Sequence, residues 1–206
     1  MSAMALMAIN ANAEKVKFEI SGVVADSIKE VVVIVNNDKN SSQKVTVANG
    51  RFNAVGEAEK NDLLNVGHEI NRGFNSLVAI NDGQPIKMNF VENTVSGSSE
   101  NSALGNQIKA NAADEGRMAV LVKEYRELSK QNTAEADARI KEIMAEANAI
   151  EEKNMKASLE YIKAHKGDVT PVAFIQNVMY ELSYNELAEI INPDVAYFNH
   201  PMVVKA

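Results

Sequence analysis

VSGSSENSALGNQ, residues 95–107, decides the fold, because one residue pattern ends inside it and another begins. Before it, apolar residues recur at every second position, the mark of strands with one wet face. After it they recur every three or four positions, the mark of helices. Two readings compete for the stretch itself: a phosphate-cradling loop, or a joint carrying a helix cap. A phosphate loop needs a Gly-rich turn followed by Lys and then Ser or Thr, with the lysine reaching the phosphates. Here Gly105 is followed by Asn106 and Gln107, so that lysine is missing. The stretch reads as a joint, with Asn101 or Ser102 capping a helix whose first apolar residue is Leu104.

On the N-terminal side, Val16, Phe18, Ile20 and Val24 share one parity while Lys15, Lys17, Glu19 and Ser21 hold the other, which predicts a half-buried strand. VVVIV at 31–35 is continuous and β-branched, and reads as a buried strand. QKVTVANGRFNAVG (43–56) sets two alternating runs around Asn49-Gly50, a dipeptide that favours the positive φ angles of a type I′ hairpin turn. Shorter runs follow at DLLNVG (62–67), FNSLVAI (74–80) and IKMNF (86–90), the last two separated by Asn81, Asp82, Gly83 and Pro85. No helix-length segment lies between them to serve a parallel crossover. The prediction is an antiparallel β-sandwich or barrel over residues 14–98.

On the C-terminal side, Leu104, Ile108, Ala112, Ala119, Val122 and Tyr125 make one stripe, with Gly116 weakening its middle toward a break into two helices. From Thr133 to His165 a second stripe carries Ile140, Ile143, Ala147, Ile150, Met155, Leu159 and Ile162, and Gly167 reads as its C-cap. Thr170-Pro171 reads as an N-cap and first-turn proline for VAFIQNVMYEL. Ser183-x-x-Glu186 is a capping box for NELAEII, which stops at Asn192-Pro193. The fold class expected is α+β: a β-domain at 14–98, then a helical connector domain at 99–206.

Composition narrows function by exclusion. A net charge of -7 and a pI near 5.1 argue against a general nucleic-acid or anionic-membrane binder, which needs a clustered positive field. With no cysteine, these 206 residues hold no disulfide framework, thiolate zinc site or cysteine nucleophile. MSAMALMAINANA (1–13) is uncharged, apolar from Ala3 to Ile9, and ends in Ala11-Asn12-Ala13, a pattern suited to a signal peptidase cutting before Glu14. It reads as a signal-peptide remnant, which places the chain in the periplasm or cell envelope. An N-terminal tether is compatible with this, whereas no later segment approaches the roughly 18–20 apolar residues of a membrane span.

No residue pattern in the chain carries a catalytic, cofactor or metal assignment. His68, His165 and His200 are far apart and have no metal-ligand spacing. HEINR (68–72) puts Arg72 where a zinc-protease motif needs its second histidine, on a segment that reads as a loop. His165 near a helix end suits the helix dipole. There is no G-x-S-x-G elbow. The acidic pairs Glu151-Glu152 and Glu57 with Glu59 read as solvated faces, and Met144, Met155 and Met179 as plastic core packing. The stripe of the helix from Thr133 is broader than a heptad seam, so packing within the chain is its expected use.

Three passages in order carry a resemblance: KFEISGVV; VANGRFNAVGEAE followed by NDGQPIKMNFVENTVSGSSENSALGNQ; and TPVAFIQNVMYELSYNELAEIINPDVAYFNHP. Together they resemble the N-terminal region, a domain of unknown function, found before the thioredoxin-like domain of envelope thiol:disulfide oxidoreductases of the alkyl hydroperoxide reductase/thiol-specific antioxidant type. The resemblance implies a small antiparallel β-domain, a helical connector, export, and a role accessory to thiol redox chemistry. Members of that family carry Cys-x-x-Cys in a thioredoxin fold that would begin after Ala206, so the expectation here is a noncatalytic accessory module, not an enzyme. Its partners would be another protein, a second copy or a redox domain, met through a sheet edge or a helical face. The alternative is a periplasmic small-molecule or glycan-binding protein using Phe74, Tyr197 and Phe198 at the end of the β-domain.

Overall fold

The computed structural model describes residues 14–70 and 73–204, so the signal-peptide reading of 1–13 lies outside the described residues. Eight strands come first: β1 (Lys15–Val23), β2 (Glu30–Val35), β3 (Gln43–Thr46), β4 (Arg51–Glu59), β5 (Leu63–Ile70), β6 (Gly73–Ile80), β7 (Ile86–Asn89) and β8 (Thr94–Ser96). A single 3-10 turn at Lys39–Ser41 lies between β2 and β3. Helices follow: α1 (Ser99–Leu128), α2 (Ala134–Ala164), α3 (Val172–Val178), α4 (Tyr184–Ile190) and α5 (Pro201–Val204). The protein is α+β, strands before helices, as the change of period at 95–107 predicts.

The strands form two four-stranded sheets, ordered β4-β1-β7-β8 and β3-β2-β5-β6, which face each other as a sandwich. Phe18, Ile20 and Ile86 from the first sheet meet Val31, Val33, Leu64 and Leu77 from the second in one core. One pair departs from the antiparallel expectation: β1 and β7 run parallel, Ile20 beside Ile86. The whole second sheet is threaded between them in sequence, so no tight hairpin constrains their direction. At Asn49-Gly50 both residues have positive φ, 51° and 68°, as the type I′ turn requires. Only the Ala48–Arg51 bridge closes there, however. β3 pairs with β2 and β4 with β1, so the turn is a corner between sheets and not the tip of a ladder. VVVIV proves half-buried: Val31 and Val33 enter the core, while Val32 and Ile34 look out from the second sheet's other face and are only partly covered.

That other face is where the helices attach. Leu63 and Ile80, neighbours across β5 and β6, share a second core with Leu104, Ile162, Ile175 and Ile190. Residues 95–107 make the attachment. Ser98, not Asn101 or Ser102, is the N-cap of α1, its hydroxyl accepting from the Asn101 amide N–H. The Asn101 side chain is thereby free to bond elsewhere. Its Oδ1 accepts from Ile80 N–H at 2.8 Å and its Nδ2 donates to Ile80 C=O at 2.9 Å. It thus pairs with the edge of β6 as a strand residue would. One turn later, a Cβ on Gly105 would lie 2.0 Å from the carbonyl oxygen of Val95, so glycine is what lets α1 lie directly on β8.

Further departures have local causes. Gly116 sits inside an unbroken α1, exposed, with nothing near it. The α1 stripe turns on Leu121 and leaves Val122 and Tyr125 exposed, because the apolar run Met118–Val122 contains no phase information. Gly167 is not in the left-handed region; α2 ends on His165, whose N–H reaches Tyr161 C=O. Thr170 does not cap α3 through its side chain, and α3 stops at Val178, short of Leu182. The capping box at Ser183 and Glu186 forms as expected. His68 lies in β5, not in a loop, which makes the start of HEINR a strand end.

Candidate interaction surface

The three histidines occupy three separate settings. His165 stacks on Tyr161, ring centroids 4.1 Å apart, and its Nδ1 meets Asp168 Oδ2 at 2.8 Å. Asp168 Oδ1 accepts from the Thr170 hydroxyl, which accepts in turn from Tyr161 Oη. Hydroxyl, carboxylate and imidazole are therefore assembled, but in an order useless for nucleophilic catalysis. The hydroxyl donates to the acid instead of to the base, and Thr170 is fully buried. Burial also raises the Tyr161 phenol, as it does that of Tyr197, which is pushed up to about 12. His200 is buried as well, with Nε2 on Asn61 C=O and Nδ1 accepting from Met202 N–H, so the neutral ring is fully bonded and burial holds its pKa down. His68 packs against Phe90 beside the sandwich core. Among the described residues no group of three or more histidines or acids is arranged to hold a metal.

The aromatics named for a sugar site are not brought together. Tyr197 is fully buried, its hydroxyl donating to Ile190 C=O, and so it cannot meet a ligand. Phe198 packs on the helical core and Phe74 lies over Gly67 on the second sheet. Glu57 and Glu59 are exposed on β4, opposite Lys17 and Lys15, as a solvated face should be.

The largest unusual surface is the hairpin of α1 and α2, about 45 Å long at 1.5 Å per residue. Near the base it joins the second core; further out it rests mainly on itself, with Leu121, Ala136 and Ile143 buried. Taking Leu121 and Ile143 as the facing centres, the helical period puts Arg117, Glu124, Arg139 and Glu146 on one flank. The ion pairs bear this out: Arg117 to Glu146 and Arg139 to both Glu124 and Glu142. On the opposite flank the same period places Met118, Val122 and Tyr125 of α1 beside Ile140, Met144 and Ala147 of α2. Val122, Tyr125 and Met144 are exposed there. One flank is zipped by ion pairs, with the exposed Val120 outside them, and the other carries no ion pair across its apolar positions among the described residues.

Toward the base this apolar flank runs into a groove of about 680 Å³ between the hairpin and α3. Glu115, Glu151, Glu152 and Glu181 line it, with Phe174 and the buried Ser158 also in its wall. No lysine or arginine lines it, and none of the four carboxylates joins an ion pair among the described residues. Partial desolvation raises the Glu115 carboxyl above the ordinary carboxylate range, although much of the residue stays in water. Tyr180 and Tyr184, adjoining this end of α3, are among the most exposed aromatics of the protein. The sequence points to a helical face in general and to Glu151-Glu152 as solvated, but places Val122, Tyr125 and Met144 inward, where the structure has them exposed. The signal available was surplus: the hairpin carries more apolar positions than one seam can bury.

Comparisons of the chain with protein-family models, curated proteins and solved structures return no match. No helix among the described residues is long and apolar enough to cross a membrane.

Proposed function

We propose that this chain is a noncatalytic, exported protein-interaction module that positions a partner or a redox domain through the open flank of the α1–α2 hairpin. A relation to the N-terminal region of envelope thiol:disulfide oxidoreductases rests on the ordered passages quoted above, and the comparisons do not bear on it. The observation that carries the interaction reading is the two-sided hairpin. Exposed Val122, Tyr125 and Met144 on one flank lead into an acidic groove, while the other flank is closed by ion pairs. Apolar anchors beside uncompensated carboxylates suit a protein segment with an apolar face and cationic ends, in which the anchors supply affinity and the charges supply register.

The test uses Tyr125→Glu combined with Met144→Glu. Both side chains are exposed, so the melting temperature stays within about 2 °C of the parent, as surface changes usually do. Recovery of a defined partner with the tagged chain from its native envelope should fall at least tenfold. Undiminished recovery, or a specific turnover of substrate by the chain alone, overturns the proposal.

A further inference from the structure

The outward face of the first sheet carries a feature that the hairpin does not explain. Its strand register sets the side chains in rows. At one end Lys15 stands opposite Glu59 and Lys17 opposite Glu57, so each cation faces a carboxylate across the β1–β4 pair. At the other end the pattern changes. Arg51 stands opposite Val23, and Lys87 lies between Ser21 and Ser96. Together with Thr46 and Ala48 at the corner between sheets, this end lines a trough of about 680 Å³ whose lining includes no Asp or Glu. Arg51 and Lys87 form no ion pair among the described residues. What sets them apart from Lys15 and Lys17 is the register: neither has a carboxylate directly opposite, although Glu19 holds the outward position before Ser21 on the same face.

The spacing defines a ligand. β4 and β7 flank β1, and Arg51 stands two residues further along than Lys87, so their backbones are about 12 Å apart, with hydroxyl and amide side chains between and beside them. Ser21, Asn53, Thr94 and Ser96 each offer both donor and acceptor, the combination that pairs with hydroxyl groups. The trough has no exposed aromatic ring to stack on a base or sugar face and no acyl-sized apolar wall. We propose that it binds an acidic oligosaccharide, carboxylates of the sugar residues meeting Arg51 and Lys87 and ring hydroxyls meeting the serine, threonine and asparagine rows. The site is independent of the hairpin and asks nothing of its partner.

Calorimetric titration with trigalacturonate tests it. The parent should bind one equivalent, with affinity falling steeply between 50 and 500 mM salt, as screening of a charge-led contact requires. Arg51→Ala and Lys87→Ala should each weaken binding about tenfold, and the double variant should abolish it. Lys17→Ala, on the same face but opposite Glu57, should leave it unchanged. Maltotriose, the neutral control, should not bind. The proposal is overturned if trigalacturonate gives no binding, if Lys17→Ala weakens it as much as Lys87→Ala, if maltotriose binds equally, or if only inorganic phosphate binds.

Discussion

Asn101 carries more structural information than any other residue of the joint. Its amide closes both the N–H and the C=O of Ile80 in a site from which water is shut out, while its own backbone N–H completes the Ser98 cap. Asn101→Ala leaves the buried Ile80 N–H without a partner and its C=O with only the Asp82 N–H, a loss of about 1–3 kcal/mol. Urea unfolding should show it, and a loss under about 0.5 kcal/mol would contradict the assigned role. His200 makes the protein's stability depend on pH. Its folded-state pKa lies below 6.5, so between that lowered value and 6.5 the unfolded chain holds the extra proton. The contribution is complete above pH 6.5 and is lost as pH falls through this window, when a proton on Nδ1 would displace the Met202 N–H. The melting temperature should therefore drop between pH 7.5 and 5 in the parent and change less in His200→Gln. Equal slopes would contradict the assignment.

Among the elements, the hairpin explains why a glycine can sit in the middle of a 30-residue helix. Gly116 is exposed and a Cβ there would touch nothing, so no packing requirement keeps it glycine. Gly116→Ala should stabilise the protein by about 0.5–1 kcal/mol through helix propensity alone. At Gly105, by contrast, the same methyl group meets the Val95 carbonyl, and alanine should force α1 off β8. Thermal melts of the two variants should shift in opposite directions; a shift of the same sign in both would contradict the packing described for α1. Neither distinction was legible in the sequence, where both residues are glycines in a helical pattern. The Asn49-Gly50 turn and the Ser183 capping box were legible, because each is decided within four residues, whereas the cap readings at Asn101 or Ser102, Gly167 and Thr170 did not hold. Which strand Asn49-Gly50 would hand to which sheet was not, since nine residue pairs between β1 and β4 decide it from outside the turn.

In the molecule as a unit, sheets and helices are bound by a common core, with Leu63 and Ile80 contributed by strands and Leu104, Ile162 and Ile175 by helices. Leu104→Ala should remove about 2–5 kcal/mol and lower one cooperative transition, monitored by strand and helix signals alike. Separate transitions would contradict a shared core. The α+β class and the strand-to-helix order were legible because the change of period is a whole-chain signal. The open flank was not, because periodicity shows that a position is apolar without showing whether anything covers it. The proposed function rests on that flank, and in-cell photo-crosslinking probes it in place. A photoreactive residue at position 122 or 144, on the apolar flank, should yield the same discrete protein adduct, and one at position 117 or 142, on the ion-paired flank, should yield none. Adducts of equal yield from both flanks, or from neither, would contradict the assignment of the hairpin as the docking surface.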